Sequence, residues 1–308
     1  MRLVFYRVSL LGLLIHVTAC GSAESTQLET NSPNENEPQC DVAPSEVWVS
    51  AEQTPLSLRE VAPGIVLKAV GVKALRGCES VSDIPIAAFN WWTVVEPEAN
   101  EAYTAVVGQL LIDLGAKLIF TGEDPRTLRQ PSGTTPEGTA WVHPKLDLPL
   151  YPSAEAFASM LSSEAWLEVG QYKMQETNAE DYDFVFMKCF YGCEAVQAAD
   201  SFIGFSGAPM LAHLFNGSQS VLKSALDPLA AALEAKAFGR LHFAGYAWAL
   251  PMMRFDGLEG DQPNDNGFWH DAAILIELEP GIEPSDIILL EAYQNLMMET
   301  RNDAMVLF

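Results

Sequence analysis

From residue 84 onward the apolar positions alternate between two periods. "IPIAAFNWWTVV" is a β-branched and aromatic run of strand type. In "NEAYTAVVGQLLIDLGA", Tyr103, Val106, Val107, Leu110, Leu111 and Leu114 recur at spacings of three and four, which predicts an amphipathic helix stopped at Gly115. "KLIFTGE" and "TAWVHPKLDLPLY" predict two strands, with the Gly/Pro/Thr-rich "PSGTTPEGT" connecting them. Ser153 then supplies a side-chain cap and Glu155 an acid at the positive end of a second helix. Phe157, Met160, Leu161, Ala165, Val169 and Tyr172 share one face of that helix, and "DFVFMKCF" is a closing strand. The predicted order is βαββαβ.

The same order recurs. "PMLAHLFN" reads as strand and "DPLAAALEAKAFG" as helix, with Asp227 as its cap and Pro228 in its first turn. "RLHFAGYAWALPMMRF" and "FWHDAAILIELE" are strands, "EPSDIILLEAYQNLMMETRND" a helix, and "AMVLF" the last strand. Matching landmarks are "AFN" at 88–90 with "LFN" at 214–216, "LGAKLIFTG" with "FGRLHFAG", and "YPSAEAF" with "EPSDIIL". Each predicted sheet has one face covered by helices and one bare apolar face. Two bare faces can bury each other.

"AFNWW", the helix ending in "LGAKLIFTGE" and "LDLPLYPSAEAFASMLSSEAW" resemble the ferredoxin-like domains of the dimeric α/β-barrel superfamily. The likeness covers residues 84–192, and reaches 207–308 by element order and "LFN"; the second copy has Glu283 where the first has Tyr151. The resemblance implies an α+β fold of two tandem ferredoxin-like βαββαβ units, 84–192 and 207–308, paired inside one chain as a dimeric-type α/β barrel. The superfamily includes cofactor-free monooxygenases, haem-degrading enzymes and stress-response proteins, so the fold selects no reaction.

The residues before 84 have another character. Arg2, Arg7 and the apolar "VSLLGLLIHV" form a signal peptide over 1–19, too short to span a membrane. It ends in Val17-Thr18-Ala19-Cys20, which resembles a bacterial lipobox and marks Cys20 as the lipidated N-terminus. Gly21 follows in place of Asp, favouring the outer membrane of a Gram-negative envelope. Residues 20–45 are polar and predict a flexible tether. Residues 46–83 hold "EVWVS" and "GIVLKAVGVKAL", short apolar runs that form an N-terminal extension.

Charge narrows the partners. Without the two arginines of residues 1–19, 15 Lys and Arg face 41 Asp and Glu, a net of −26. No basic footprint for nucleic acid exists, and anionic headgroups repel such a surface, so the acyl chain must hold the membrane. A monomer is expected. Beyond Cys20, the even count of Cys40, Cys78, Cys189 and Cys193 suggests two disulfides in an exported chain. Three connectivities are possible; the local one pairs Cys40 with Cys78 and Cys189 with Cys193. A metal at Cys189 and Cys193 lacks a second close pair or a nearby His.

For chemistry, Asn90 and Asn216 end comparable strands, where their amides either orient a ligand between the sheets or bond a strand end. His143, His242 and His270 fall on predicted strands and are candidates for an axial haem ligand or a general base. Trp91, Trp92, Trp248 and Trp269 would make any cavity aromatic. "DQPNDNG" at 261–267 fails the EF-hand pattern, and no G-x-S-x-G or nucleotide-loop context occurs. Three functions are open: an envelope lipoprotein binding a small apolar or aromatic ligand between its sheets; an oxidoreductase, cofactor-free or haem-dependent, which the superfamily resemblance implies and which would use Asn90 and a strand histidine; or a structural or interaction protein whose cavity is filled by its own side chains. No cofactor is expected. Asp271, beside His270 on the opposite strand face, cannot serve as that imidazole's acceptor, so specific haem binding is not expected.

Overall fold

The computed structural model describes residues 47–48, 66–74, 85–94, 96–130, 143–166, 177–202, 207–256 and 270–308. Cys20, Cys40, Cys78, Trp269 and the 261–267 loop lie outside them. The chain begins with β1 (Val47–Trp48) and β2 (Val66–Ala74). Next come β3 (Ile86–Val94), α1 (Pro97–Asp113), β4 (Lys117–Glu123), β5 (Arg126–Arg129), β6 (Lys145–Tyr151), α2 (Ala154–Ser162), β7 (Thr177–Tyr191) and α3 (Cys193–Ala198). The second half holds β8 (Met210–Asn216), α4 (Gln219–Lys236), β9 (Gly239–Asp256), β10 (Ala272–Leu278), α5 (Pro284–Ile288), α6 (Glu291–Glu299) and β11 (Arg301–Leu307). The fold is mixed α+β.

The strands form one antiparallel sheet in the order β4-β6-β3-β7-β9-β10-β8-β11-β5, with β2 on the second part of β9 and β1 on β2. Besides β2 on β9, two pairings among the described residues join the halves. β7 lies against β9, with Met187 opposite Ala247, and β11 against β5, with Val306 opposite Thr127. Only Asp124 and Pro125 separate β4 from β5, so the strand path ends on the chain segment where it began. Asp124 makes that corner with a left-handed φ of 51°.

Strand alternation sorts the side chains into three cores. Ala87, Phe89, Trp91, Leu146, Leu148, Val185 and Met187 of the first half share a core with Ala212, Leu214, Phe243, Ala273, Leu275 and Val306 of the second. On the other face of β3, Ile86 and Ala88 pack beneath α1 and α2 with Val107, Leu111, Phe157 and Leu161. Leu211, Phe215, Ile274 and Met305 do the same beneath α4 to α6, with Leu222, Leu229, Leu233, Tyr293 and Leu296.

Several elements depart from the sequence expectation. α4 starts at Gln219, capped by the Ser218 hydroxyl, which accepts from the Val221 amide at 3.3 Å; Asp227 is no cap, and Pro228 lies inside the helix. An interior proline costs about 3 kcal/mol, and the burial of Leu222 and Leu226 offsets it. α2 ends at Ser162, and Val169 and Tyr172 lie outside the described residues. The last predicted helix is two, α5 and α6, and β11 starts at Arg301 instead of Ala304. β6 starts at Lys145, leaving His143 before it, and His270 precedes β10. β5 and α3 have no counterpart in the sequence reading.

Candidate functional site

Three strands set two polar rows side by side on the helix-covered face of the first half. Register places Thr121, Asp147 and Asn90 in one row and Glu123, Lys145 and Trp92 in the next. Their neighbours Leu146 and Leu148 point to the shared core, so the alternation in "KLDLPLY" turns Lys145 and Asp147 towards the helices. The Lys145 side chain is 8% exposed, with its ammonium 3.2 Å from Glu123, 3.9 Å from Asp147 and 3.3 Å from the Asn100 carboxamide oxygen of α1. Thr121 donates its hydroxyl to Asp147, and the Asn90 amide donates to the Ala88 and Asp147 carbonyls at 3.0 and 3.4 Å. A buried ammonium is tolerated only with such partners. Chemically the rows offer a buried ammonium held by two carboxylates, beside two carboxamides and an indole.

The other residues singled out from the sequence are not gathered here. Asn216 alternates with Leu214 and faces the shared core, 7% exposed, its Oδ1 without a hydrogen-bond partner among the described residues. The "AFN"/"LFN" landmark is thus one residue out of phase: Phe89 lies in the shared core and Phe215 under the helices. His143 is fully buried; its carbonyl accepts from the Trp91 indole at 2.7 Å, and the rings meet edge-on at 5.8 Å. His242 donates Nε2–H to the Ile119 carbonyl at 2.8 Å, while its Nδ1 lies 3.6 Å from Glu277, itself paired with Arg240. Burial lowers the His242 pKa, against the opposing effect of the Ile119 carbonyl.

A second buried pair, His213 with Asp303, was not singled out in the sequence; buried His270 feels the charge of both. His213 Nε2 donates to Asp303 Oδ1 at 2.9 Å, and the Thr300 hydroxyl donates to the same oxygen at 2.6 Å. The His213 ring lies 5.0 Å from Phe215 and 5.4 Å from Tyr293. Burial lowers both imidazole pKa values, His270 to about 3, with His213 adding to the latter. Burial alone would raise the Asp303 carboxyl, but the His213 and Thr300 hydrogen bonds hold it below its ordinary value. The available signal was period two: His213 stands between Leu211 and Phe215, and Asp303 stands two before Met305.

Cys189 and Cys193 form a disulfide, with Cα atoms 6.2 Å apart, across the β7–α3 turn. Gly192 makes that turn at φ 88°, and any Cβ there would strike the His242 carbonyl. Among the described residues, no group of three or more His, Cys, Asp or Glu is arranged to hold a metal ion. No described helix is long and apolar enough to cross a membrane. Two open depressions lie on the surface among the described residues. One, of about 390 Å³, lies between α4 and α6 beside Pro228 and Leu290; the other, of about 260 Å³, is beside Gly122 and Phe308.

No family model matches the chain, and no curated protein matches it. Solved structures do align. A Rhodopseudomonas palustris protein of unknown function is 23% identical over 35% of this chain and 85% of its own, with a TM-score of 0.29. A candidate monooxygenase from Lactobacillus acidophilus is 11% identical over 73% of this chain and 93% of its own, with a TM-score of 0.41. A haem-binding protein from Thermus thermophilus is 9% identical over 74% of this chain and 94% of its own, with a TM-score of 0.35. Likenesses this weak transfer no activity to this chain.

Proposed function

We propose that this chain is a lipid-anchored envelope protein whose two tandem ferredoxin-like units close into one barrel, and that it works through its outer surface as a structural or interaction protein. The observation that carries this reading is the filled shared face. Phe89, Trp91, Leu148, Met187, Phe243 and Leu275, each at most 1% exposed, occupy the space a ligand would need. The tandem reading is supported by strand order, since β4-β6-β3-β7 and β9-β10-β8-β11 are both second, third, first, fourth. It is also supported by Gly122 and Gly245. Each lies under the ring of the phenylalanine two residues before it, Phe120 and Phe243. Attachment through Cys20 places the acidic domain outside the membrane plane, with the tether setting its reach.

Titration of the purified mature protein with hemin tests the filled interior. The expected result is no saturable Soret shift. A sharp shifted band saturating at one equivalent, and lost in His242→Ala or His270→Ala, overturns the scaffold reading. Mass spectrometry of the N-terminal peptide tests the anchor: an unmodified Cys20, or cleavage elsewhere, removes it.

The polar rows favour a second reading, an oxidoreductase that handles its substrate beside Asn90, Trp92, Lys145 and Asp147. Native mass spectrometry of the protein purified from its source separates the two. A retained small molecule that disappears in Lys145→Met supports the enzyme; none retained supports the scaffold.

A further inference from the structure

Lys145 and Asn100 bring an amine and a carboxamide together from elements that share no strand pairing. Lys145 opens β6, opposite Trp92 of β3 and Glu123 of β4, whereas Asn100 lies near the start of α1. That helix begins at Glu96 without a side-chain cap, so its first turn depends on ties to the sheet. Lys145 Nζ stands 3.3 Å from Asn100 Oδ1. Adding one C=O bond of about 1.23 Å, Nζ is no farther than about 4.5 Å from the Asn100 carboxamide carbon, Cγ. Reacting atoms in a near-attack contact are about 3–3.5 Å apart, and rotation of the carboxamide about Cβ–Cγ, a broad torsion, shortens the gap.

We propose that Lys145 and Asn100 become joined by an amide bond that the folded chain forms on its own, with Asp147 as the proton carrier.

The groups the reaction needs are all in place. The Lys145 side chain is 8% exposed and held on the helix-covered face. Thr121 donates to Asp147 Oδ1, and the other oxygen, Oδ2, faces the ammonium at 3.9 Å. Glu123 is nearer, at 3.2 Å, but its side chain is 65% exposed and well solvated, against 21% for Asp147. Asp147 takes one proton from Nζ, which replaces two charges by a neutral pair beneath α1. The freed amine pair attacks Asn100 Cγ, and the carbonyl π pair moves to Oδ1. Asp147 passes its proton to Nδ2 and takes a second one from Nζ. The Cγ–Nδ2 bond breaks with its electrons on nitrogen, the carbonyl reforms and ammonia leaves. The products are a secondary amide, ammonia and protonated Asp147. No oxidant, metal or other reactant is consumed. The ion pairs of Lys145 are those of the chain before the bond forms. The bond is independent of both functional readings above, and it pins the uncapped start of α1 to β6.

Peptide mapping of the full mature protein, reduced, alkylated and digested with trypsin, reads the bond. Cleavage at Arg76, Lys117, Arg129 and Lys173 is expected to give one branched species joining 77–117 to 130–173. It should be uncut at Lys145 and lighter than the two peptides together by one ammonia. Asn100→Ala and Lys145→Met are each expected to lose it completely, and Asp147→Asn to lose it with both partners present. Recovery of 77–117, 130–145 and 146–173 as separate peptides of full mass from the native protein overturns the proposal, whether or not any variant folds. Loss of ammonia without the branched species marks a succinimide and overturns it as well. A bond that still forms in Asp147→Asn refutes the role given to Asp147; should that variant not fold, loss of the bond in Asp147→Glu, which keeps the carboxyl group in a folded chain, refutes it instead.

Discussion

His242 donates a 2.8 Å hydrogen bond to the carbonyl of Ile119, 123 positions earlier in the chain. Both residues are extra positions in their strands. The β4–β6 register skips from Leu118 to Phe120, and the β9–β10 register skips from Leu241 to Phe243. A bulge withdraws one residue from the ladder and re-aims its groups. When "KLIFTG" and "RLHFAG" are aligned at their common phenylalanine and glycine, Ile119 and His242 occupy the same place. Equivalent positions of the two halves thus touch each other directly.

Replacing His242 by Leu should leave the buried Ile119 carbonyl without its donor. The expected cost is about 1–3 kcal/mol in urea unfolding, with His242→Gln recovering part of it through an amide donor. The pH dependence has a definite sign. Burial lowers the folded pKa of His242 below the ordinary imidazole value of about 6.5. The contribution of neutral His242 is therefore complete above about pH 6.5 and declines as pH falls towards the lower folded value. The Leu variant should show a flatter stability profile below pH 6.5; an unaltered profile would remove His242 from the account.

The two glycines under phenylalanine rings should respond unequally to alanine. At Gly245 a Cβ would collide with the Phe243 ring and come within 2.9 Å of Met187 Cβ, both deep in the shared core. At Gly122 it would lie 2.6 Å from Phe120 Cζ and 2.7 Å from Phe308, whose partly buried ring can give way. Gly245→Ala should cost about 2–3 kcal/mol and Gly122→Ala about 1 kcal/mol or less. Equal losses in thermal unfolding would contradict this packing difference.

The long helices and most strands were legible because their apolar residues keep a clear period. α1 buries Val107 and Leu111 with Tyr103, Val106 and Leu110 packed beside them, as their spacing of three and four implies. Legibility failed where pairing rather than side-chain pattern makes the element. β5 reads "RTLR" and owes its strand character to β11. It failed again where two signals competed: Asp227-Pro228 looks like a helix start, but Ser218 caps the chain nine residues earlier. The candidate site was half legible. Period two marks Lys145 and Asp147 as facing away from Leu146 and Leu148, but it cannot say that a helix covers them. Matching "AFN" to "LFN" by letters lost that same period and set Asn90 and Asn216 on one face, whereas they occupy opposite ones.

Removing the Lys145 ammonium should destabilise the first half. Asp147, 21% exposed at its side chain, would lose the ammonium 3.9 Å away, and the Asn100 carboxamide oxygen a donor at 3.3 Å. Lys145→Met keeps the stem and drops the charge, so a loss of about 1–2 kcal/mol is expected after discounting for solvent at Glu123 and Asp147. Adding Asp147→Asn should recover part of it, because the more buried of its two carboxylate partners is then neutral. A double-mutant cycle measures this coupling; a coupling of zero would remove Asp147 from the partners that hold Lys145.

The filled interior makes the sharpest prediction. Phe89 is completely buried in the core shared by the two halves, edge-on to Trp91 at 6.0 Å between ring centres. Phe89→Ala removes the ring from a place where strands of both halves are tied by ladders and cannot close inwards. The loss should be about 3–5 kcal/mol. The space left behind has apolar walls, and such cavities stay dry and admit small apolar guests. Benzene should therefore raise the melting temperature of Phe89→Ala and leave that of the native protein unchanged. Stabilisation of the native protein by benzene would show that the interior already holds a ligand space, and with it the scaffold reading would fail.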